Sequence, residues 1–260
     1  MQEATRLRLA RRINDLFKER PDLSGIVVTH GTNTLEQTAF FLYLTIKSDR
    51  PVVVVGAQRP PTGISPDGPI NLLAAIRVAA TPEARGKGVT VVMDDRIMSA
   101  RDVRKRYARN GGFDVPEMGM LGIVDNTGVE FFYQPVRKHT VSAGFDLSGV
   151  KALPRVGISN SYVGAEGVAD TEAKAVIVAT TGFAPEERKY YDALLKKGMI
   201  VATTFPSGEQ VSSPPQPSES GAPRPIIVNH LTPTKARILM MLALTKTQSP
   251  EEIQKIFDSF

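Results

Sequence analysis

The sequence predicts an α/β fold with two domains, each built on a mostly parallel sheet. Short runs of valine and isoleucine alternate with segments of helical periodicity. Continuous apolar strands separated by helices are typical of parallel sheets that are covered on both faces. The alternation stops between residues 134 and 154, where glycine and proline are scattered without periodicity. We therefore predict an N-terminal domain at 1–135, a linker at 136–154 and a C-terminal domain at 155–260.

Three buried strands and three helices are expected first. The second helix, from Thr34 to Ile46, begins with Thr34 and Gln37 in the spacing of a capping box. Pro69 suits the first turn of the third helix. The strands are the runs GIVVT (25–29), PVVVVG (51–56) and GVTVVM (88–93), and the first helix buries the stripe Leu9, Ile13, Leu16 and Phe17.

The rest of the chain continues the alternation after one hairpin. Two strand-like runs flank Asp125–Gly128, which predicts a β-hairpin. The second domain has the four strand candidates RVGIS, AVIVA, MIVAT and PIIVN with helices between them, then helices at Pro233–Leu244 and Pro250–Phe257. A loop at 206–225 is rich in proline and serine, and long loops of this kind are often functional or disordered.

Composition excludes several classes of protein. The chain has no cysteine, and His30, His139 and His230 lie far apart in sequence, which argues against disulfides and metal sites. No apolar run is long enough to span a bilayer, so we expect no membrane partner. The basic N-terminal stretch contains acids and has no apolar core, which argues against a transit peptide or secretory signal. The sequence leaves the compartment open: residues 1–260 as they stand suggest a cytoplasmic protein, whereas a signal peptide on a missing N-terminal segment would make it periplasmic or secreted.

The loops after the first three strands are the predicted ligand site, because open parallel sheets bind ligands beyond the carboxyl ends of their strands. The first loop, THGTNT, offers hydroxyls at Thr32 and Thr34, and Gly31 permits close approach of a substrate to the backbone. Its position at the start of a helix favours an anion such as a carboxylate. The structural alternative is that both threonines only cap the helix.

A threonine hydroxyl is a poor nucleophile unless a base is near, and the third loop supplies a candidate in Lys105. A lysine among other cations should lose its proton more readily. We therefore expect Lys105 to act as a base for Thr32, the alternative being a solvated lysine. The neighbouring cations are Arg101, Arg104, Arg106 and Arg109.

The same basic run, ARDVRKRYAR (100–109), also has the composition of a nucleic-acid patch, with Tyr107 as a stacking group. One cluster in one loop is weak support, and no further run interleaves aromatic residues with arginines. Most such runs are solvated loops. We therefore expect no nucleic-acid partner.

Four segments stand out in the sequence: THGTNTLEQTAFFL (29–42), RPVVVVGAQRPPTGISPDGPINL (50–72), VVMDDRIMSARDVRK (91–105) and LTPTKARILMMLALTKTQSPEEIQKIFDSF (231–260). They resemble the bacterial-type L-asparaginases, and in particular their high-affinity type II branch. Three successive segments agree in order and spacing, and the end of the chain resembles the end of that family's C-terminal domain. The resemblance implies a larger N-terminal and a smaller C-terminal α/β domain. It also implies hydrolysis of asparagine, and often glutamine, to the acid and ammonia, without a metal or organic cofactor. The implied assembly is a homotetramer built from close dimers.

The resemblance also assigns roles by position. Thr32 corresponds to the family's second active-site threonine, and Lys105 to the lysine that accompanies it. Asn33 stands where many members have an aspartate that holds the substrate's α-amino group. The backbone at Ala57 would help to hold the side-chain amide. Each family site is completed by a neighbouring subunit, and Glu219 is the nearest candidate for the acid expected from that neighbour.

One departure from the family pattern bears on the nucleophile, and two bear on substrate recognition. The Thr-Gly-Gly-Thr-Ile motif that supplies the nucleophilic threonine is not in the sequence, and neither is the first strand that carries it, so we expect part of the first sheet to be unpaired. Asn33 lacks the charge of aspartate, which removes a charge-assisted hydrogen bond of about 1.5–3 kcal/mol. The family's Gly-Asn-Gly-Asn stretch is replaced by TTGFAPEE (180–187).

Three hypotheses follow. The first is an asparaginase-family amidohydrolase that lacks the N-terminal motif and is weak or inactive as residues 1–260 alone. The second is a pseudoenzyme or amino-acid-binding module that has lost the nucleophile. The third is an enzyme that works through Thr32 and Lys105 without the motif.

Overall fold

A computed structural model describes residues 2–116, 119–209 and 224–260. The chain forms two compact units, Met1–Gly149 and Val150–Phe260. The division between them falls inside the predicted linker. Each unit combines a β-sheet with helices, which confirms the predicted α/β fold.

The first unit is built around a six-stranded mixed sheet in the order β1-β2-β3-β4-β7-β8. In chain order its elements are α1 (Glu3–Glu19), β1 (Ile26–Thr29), α2 (Leu35–Thr45), β2 (Val52–Val55), α3 (Gly68–Ala80), a 3₁₀ turn (Pro82–Ala84), β3 (Val89–Met93), β4 (Arg96–Ser99), β5 (Arg104–Lys105), β6 (Phe113–Asp114), β7 (Met120–Val124), β8 (Val129–Phe131) and α4 (Thr140–Ala143). Strands β1 to β3 are parallel, and β4, β7 and β8 are antiparallel. Strands β5 and β6 form a separate antiparallel pair.

The apolar runs of the sequence form the strands at the centre of this unit. All residues of β2 and β3 are buried, and Val53 and Val55 pack with Ala75 and Val78 of α3 in one hydrophobic cluster. The predicted hairpin is confirmed, because β7 pairs with β8. The sequence did not predict β4 or the short pair of β5 and β6, since neither contains an extended apolar run.

The predicted capping box of α2 does not form. Thr34 is the N-cap residue, but its side chain makes no capping hydrogen bond. Gln37 instead accepts a hydrogen bond from the Arg6 guanidinium, with 3.1 Å between Nη2 and Oε1. The packing of α1 against α2 brings Arg6 to Gln37. A tertiary contact has therefore replaced the local one.

The buried stripe of α1 is rotated from the predicted one. Ile13 and Phe17 are buried as expected, but Leu9 and Leu16 are only half-buried. The remaining apolar members of the stripe are Leu7 and Ala10. Small and large residues share this face because α1 packs against α2, and the alanine permits close approach.

Strand β1 lies at one edge of the six-stranded sheet. Its residues are half-buried or exposed, whereas those of β2 are all buried. Among the described residues, no strand pairs with the outer side of β1. Strand β8 forms the other edge of this sheet, and the expected loss of a strand stays a prediction.

The second unit contains a four-stranded parallel sheet in the order β12-β11-β10-β9. Its elements are β9 (Val156–Asn160), β10 (Ala175–Ala179), α5 (Pro185–Lys196), β11 (Ile200–Thr204), β12 (Ile226–Val228), α6 (Pro233–Ala243) and α7 (Pro250–Ser259). The helix predicted between β9 and β10 is wrong: residues 161–174 form turns and irregular segments. Gly164 and Gly167 have φ angles of 82° and 90° there, which a helix does not allow. Residues 210–223, and with them Glu219, lie outside the described residues.

Candidate active site

A cavity of about 370 Å³ lies at the carboxyl ends of β1 and β2. Two predicted site residues, Gly31 and Ala57, line it, one from each of the first two loops. Sequence reasoning missed His30, which also lines it. The His30 Nδ1 lies 2.7 Å from the Gly31 carbonyl oxygen, so Nδ1 carries the proton and donates. The cavity is where ligands bind in open parallel sheets.

Thr32 and Lys105 meet beside this cavity although 73 residues separate them in sequence. Lys105 Nζ lies 2.6 Å from Thr32 Oγ1 and 3.3 Å from Asn33 Oδ1. Thr32 belongs to the loop between β1 and α2, and Lys105 belongs to β5. Both side chains are half-buried. The distance to Thr32 is short enough for direct proton transfer between hydroxyl and amine.

Gly56 lets the second loop pack against the first. A Cβ at this position would lie 2.9 Å from the His30 carbonyl oxygen, 2.9 Å from Leu35 Cδ1 and 3.2 Å from Thr32 Cγ2. The first of these contacts is with backbone, which cannot move aside as a flexible side chain can. Any larger residue would therefore displace the loop that carries Thr32.

Asp67 and Asn71 hold the second loop in place. The Asp67 carboxylate accepts hydrogen bonds from the backbone N–H groups of Gln58 at 2.9 Å and Arg59 at 2.8 Å, and from Asn71 Nδ2 at 3.0 Å. Burial acts to raise the pKa of Asp67, but these hydrogen bonds outweigh burial and hold the pKa below its usual value. Asp67 is therefore placed to fix the backbone next to Ala57.

Asn71 joins the second loop to the third. Its Nδ2 also donates to the Gly56 carbonyl at 3.1 Å, and its Oδ1 accepts the backbone N–H of Asp94 at 3.1 Å. Asn71 is almost completely buried. Sequence reasoning missed this residue, because its partners come from loops that are distant in sequence.

Three of the arginines expected around Lys105 have partners of their own. Arg101 is buried and lies 2.5 Å from the Asp102 carboxylate. Arg106 lies 3.0 Å from Asp114. The Arg109 guanidinium stacks over the Tyr107 ring at 4.5 Å, so the proposed stacking group is covered by a cation of the same loop. Folding thus pairs two of these charges with carboxylates and stacks the third on an aromatic ring.

Comparison with known proteins identifies the family. A profile described as "Asparaginase, N-terminal" matches residues 1–137, and one described as "Glutaminase/Asparaginase C-terminal domain" matches residues 155–257. The chain belongs to the asparaginase family. The resemblance seen in the sequence is therefore confirmed.

Similar proteins of the asparaginase family span most of the chain. L-asparaginase 2 of Bacillus subtilis is 42% identical over 98% of this chain and 69% of its own length. A glutaminase-asparaginase of Pseudomonas fluorescens is 40% identical over 96% of this chain and 72% of its own length. The crystal structure of a probable cytoplasmic L-asparaginase from Campylobacter jejuni superposes with a TM-score of 0.92 at 39% identity, covering all of this chain and 85% of that one. Nothing in these comparisons supports the pseudoenzyme alternative.

The predicted asparaginase site is assembled only in part by the described residues. The structure brings together Thr32, Asn33 and Lys105, and places Gly31 and Ala57 on the adjacent cavity wall. Within the described ranges, no group of three or more acidic or histidine side chains is arranged to hold a metal ion. No helix in that part of the chain is both long and apolar enough to cross a membrane.

Proposed function

We propose that this chain is an amidohydrolase of the asparaginase type, which converts L-asparagine or L-glutamine to the acid and ammonia. The observation that carries the proposal is the 2.6 Å contact between Lys105 Nζ and Thr32 Oγ1. Family membership supports it, and so does the position of the pair beside a cavity at the carboxyl edge of a parallel sheet.

The proposed role of the pair is proton transfer. Lys105 as a free amine takes a proton, through the Thr32 hydroxyl, from the oxygen nucleophile that attacks the amide carbon. The resulting ammonium returns the proton to the amide nitrogen as the C–N bond breaks and ammonia leaves. If a covalent nucleophile attacks, water then displaces it from the acyl group, and if water attacks, the acid forms directly. In both cases one amide and one water give one carboxylate and one ammonium ion. In the family that this chain resembles, the covalent nucleophile is a threonine of the Thr-Gly-Gly-Thr-Ile motif. The sequence does not contain this motif.

Substrate recognition is proposed for the surrounding loop residues. Asn33 is exposed, and its Oδ1 can accept a hydrogen bond from the substrate's ammonium group, as it does from Lys105. Among the described residues, and apart from its two chain neighbours, no heavy atom lies within 4 Å of the position of a Cβ at Gly31, so its backbone is open to a ligand. The Ala57 backbone next to Asp67 would bind the side-chain amide.

We also propose a homo-oligomer, a dimer of dimers, in which Glu219 of a neighbouring subunit contributes an acid to the site. Light scattering coupled to size-exclusion chromatography is expected to give a mass four times that of one chain. A monomer that remains active would contradict this arrangement. Loss of turnover in Glu219→Gln without a change of mass would support the acid's role.

Ammonia release from L-asparagine and L-glutamine tests the proposed activity. It is measured for residues 1–260 and for a fused chain, in which the residues preceding the matched region of the Bacillus subtilis relative are added before Met1. The fused chain should turn over, and residues 1–260 alone should be weak. Thr32→Ala and Lys105→Met in the fused chain should each lower kcat by about 100- to 10,000-fold, the usual contribution of positioned proton transfer.

Lys138→Met is the matched control, because Lys138 is an exposed lysine of the same unit. It should leave kcat unchanged. The proposed function fails if the fused chain hydrolyses neither amide, or if Lys105→Met affects kcat no more than the control does. Rapid turnover by residues 1–260 alone, abolished by Thr32→Ala, would instead favour the enzyme that works without the motif.

A further inference from the structure

Glu36 connects the two members of the proposed catalytic pair. It lies in the first turn of α2, which begins at Leu35, three residues after Thr32. Its Oε2 accepts the backbone N–H of Lys105 at 2.6 Å. The backbone of Lys105 is thus bound to the same helix turn that follows Thr32. The side chain of Lys105 returns to Thr32 itself, also at 2.6 Å.

The strand that carries Lys105 needs such an attachment. Strand β5 has two residues and pairs with the equally short β6, apart from the six-stranded sheet. Two other bonds hold the opposite strand and its loop: Arg96 Nη2 donates at 2.6 Å to the carbonyl of Phe113, which pairs with Lys105, and the Gly111 N–H donates to Asp94 at 3.0 Å. The bond to Glu36 acts on Lys105 directly.

A carboxylate is well suited to this position. Charge-assisted hydrogen bonds are shorter and stronger than neutral ones, which agrees with the 2.6 Å distance. The amino end of a helix also favours negative charge, and Glu36 lies in the first turn of α2. Lys105 Nζ donates one hydrogen bond to Thr32 and one to Asn33. Glu36 contacts the Lys105 backbone instead.

We propose that Glu36 is a positioning residue, which holds the Lys105 backbone so that its amine reaches Thr32. The effect of Glu36 on kcat rests on the proposed function, whereas its effect on the distance between Lys105 and Thr32 does not. A carboxylate that served only the helix would stabilise α2 without affecting the distance between Lys105 and Thr32. The two roles therefore differ in an observable way.

The Thr32 methyl resonance reports on this distance without requiring turnover. It is assigned by its loss in Thr32→Ser, and its shift without the lysine amine is defined by Lys105→Met. Glu36→Ala should move the resonance toward its position in Lys105→Met. Glu36→Gln should leave it near the wild-type position, because the amide oxygen still accepts the Lys105 N–H.

Glu251→Ala is the matched control, since Glu251 is also an acid in the first turn of a helix, α7. It should leave the Thr32 methyl resonance unmoved. If Glu36→Ala leaves the resonance unmoved as well, Glu36 does not position Lys105 and the proposal is refuted. A shift equal in Glu36→Gln and Glu36→Ala would also refute it, because the retained acceptor would then have no effect.

Kinetics of the fused chain give a second measurement. Glu36→Ala should lower kcat by about 100-fold, the scale of a 1 Å misplacement, and change KM less than twofold. Glu36→Gln should recover most of the lost kcat. If the unsubstituted fused chain releases no ammonia, the proposed function has failed, while the methyl resonance still decides the role of Glu36.

Discussion

Asp67→Ala tests the network that fixes the cavity wall. The Asp67 carboxylate, which is buried, accepts hydrogen bonds from the backbone N–H groups of Gln58 and Arg59 and from Asn71 Nδ2, all within 3.0 Å. Alanine removes both oxygens and leaves three donors without their acceptor. We expect the first unit to lose stability and the loop next to Ala57 to loosen.

The size of the loss follows from the exposure of the three donors. A hydrogen bond to a charged group contributes about 1.5–3 kcal/mol. Water does not readily reach the buried Asn71 amide, so that bond is lost in full, whereas water can replace part of the bonds at Gln58 and the exposed Arg59. The expected loss is about 3 kcal/mol in the free energy of unfolding. The melting temperature should fall by roughly 6–12 °C.

Urea unfolding followed by circular dichroism measures this loss. Asp67→Asn keeps one acceptor oxygen and should lose about half as much. Asp192→Ala, on the exposed surface of α5, is the control and should stay within about 0.5 kcal/mol of the parent. The reasoning is refuted if Asp67→Ala loses no more than the control.

The same network predicts a dependence on pH. The folded-state pKa of Asp67 is held below its usual value, so its stabilisation is fully present above the unfolded pKa of about 3.9 and is lost as the pH falls through the lower folded pKa. Asp67→Asn should flatten this part of the stability profile. If the stability of Asp67→Asn still falls at low pH as that of the parent does, Asp67 is not the group responsible.

Three further substitutions test neighbouring parts of the site. Gly56→Ala places a Cβ 2.9 Å from the His30 carbonyl oxygen and should cost about 1–3 kcal/mol in urea unfolding; a cost under about 0.5 kcal/mol would contradict the predicted clash. Asn33→Asp restores a charge-assisted bond and should lower the Kd of the fused chain for L-aspartate by about tenfold in calorimetry, whereas an equal Kd would remove Asn33 from ammonium recognition. Asp102→Ala removes the carboxylate beside the buried Arg101 guanidinium and should lower the free energy of unfolding by about 3–5 kcal/mol. A loss near zero would show that the two charges are not coupled.

Much of the fold was predictable because burial on both faces leaves a continuous apolar run in the sequence. Strands β1, β2 and β3 and helices α2 and α3 are located within a few residues of their predicted positions. Strands β5 and β6 were missed, because two residues carry no periodicity. The capping box at Thr34 was wrong, because Arg6 takes the Gln37 side chain through the packing of α1 on α2.

The sequence by itself determined the α/β class, the family and the residue types of the site. Thr32 and Lys105 were recognisable because the motifs that carry them are local. Only the tertiary structure decided which atoms meet: the Lys105 amine with Thr32, the Lys105 backbone with Glu36, and the Asn71 amide with two loops. These contacts join positions up to 73 residues apart, and their geometry depends on how loops pack beyond the strand ends. Local patterns in the sequence do not encode that packing.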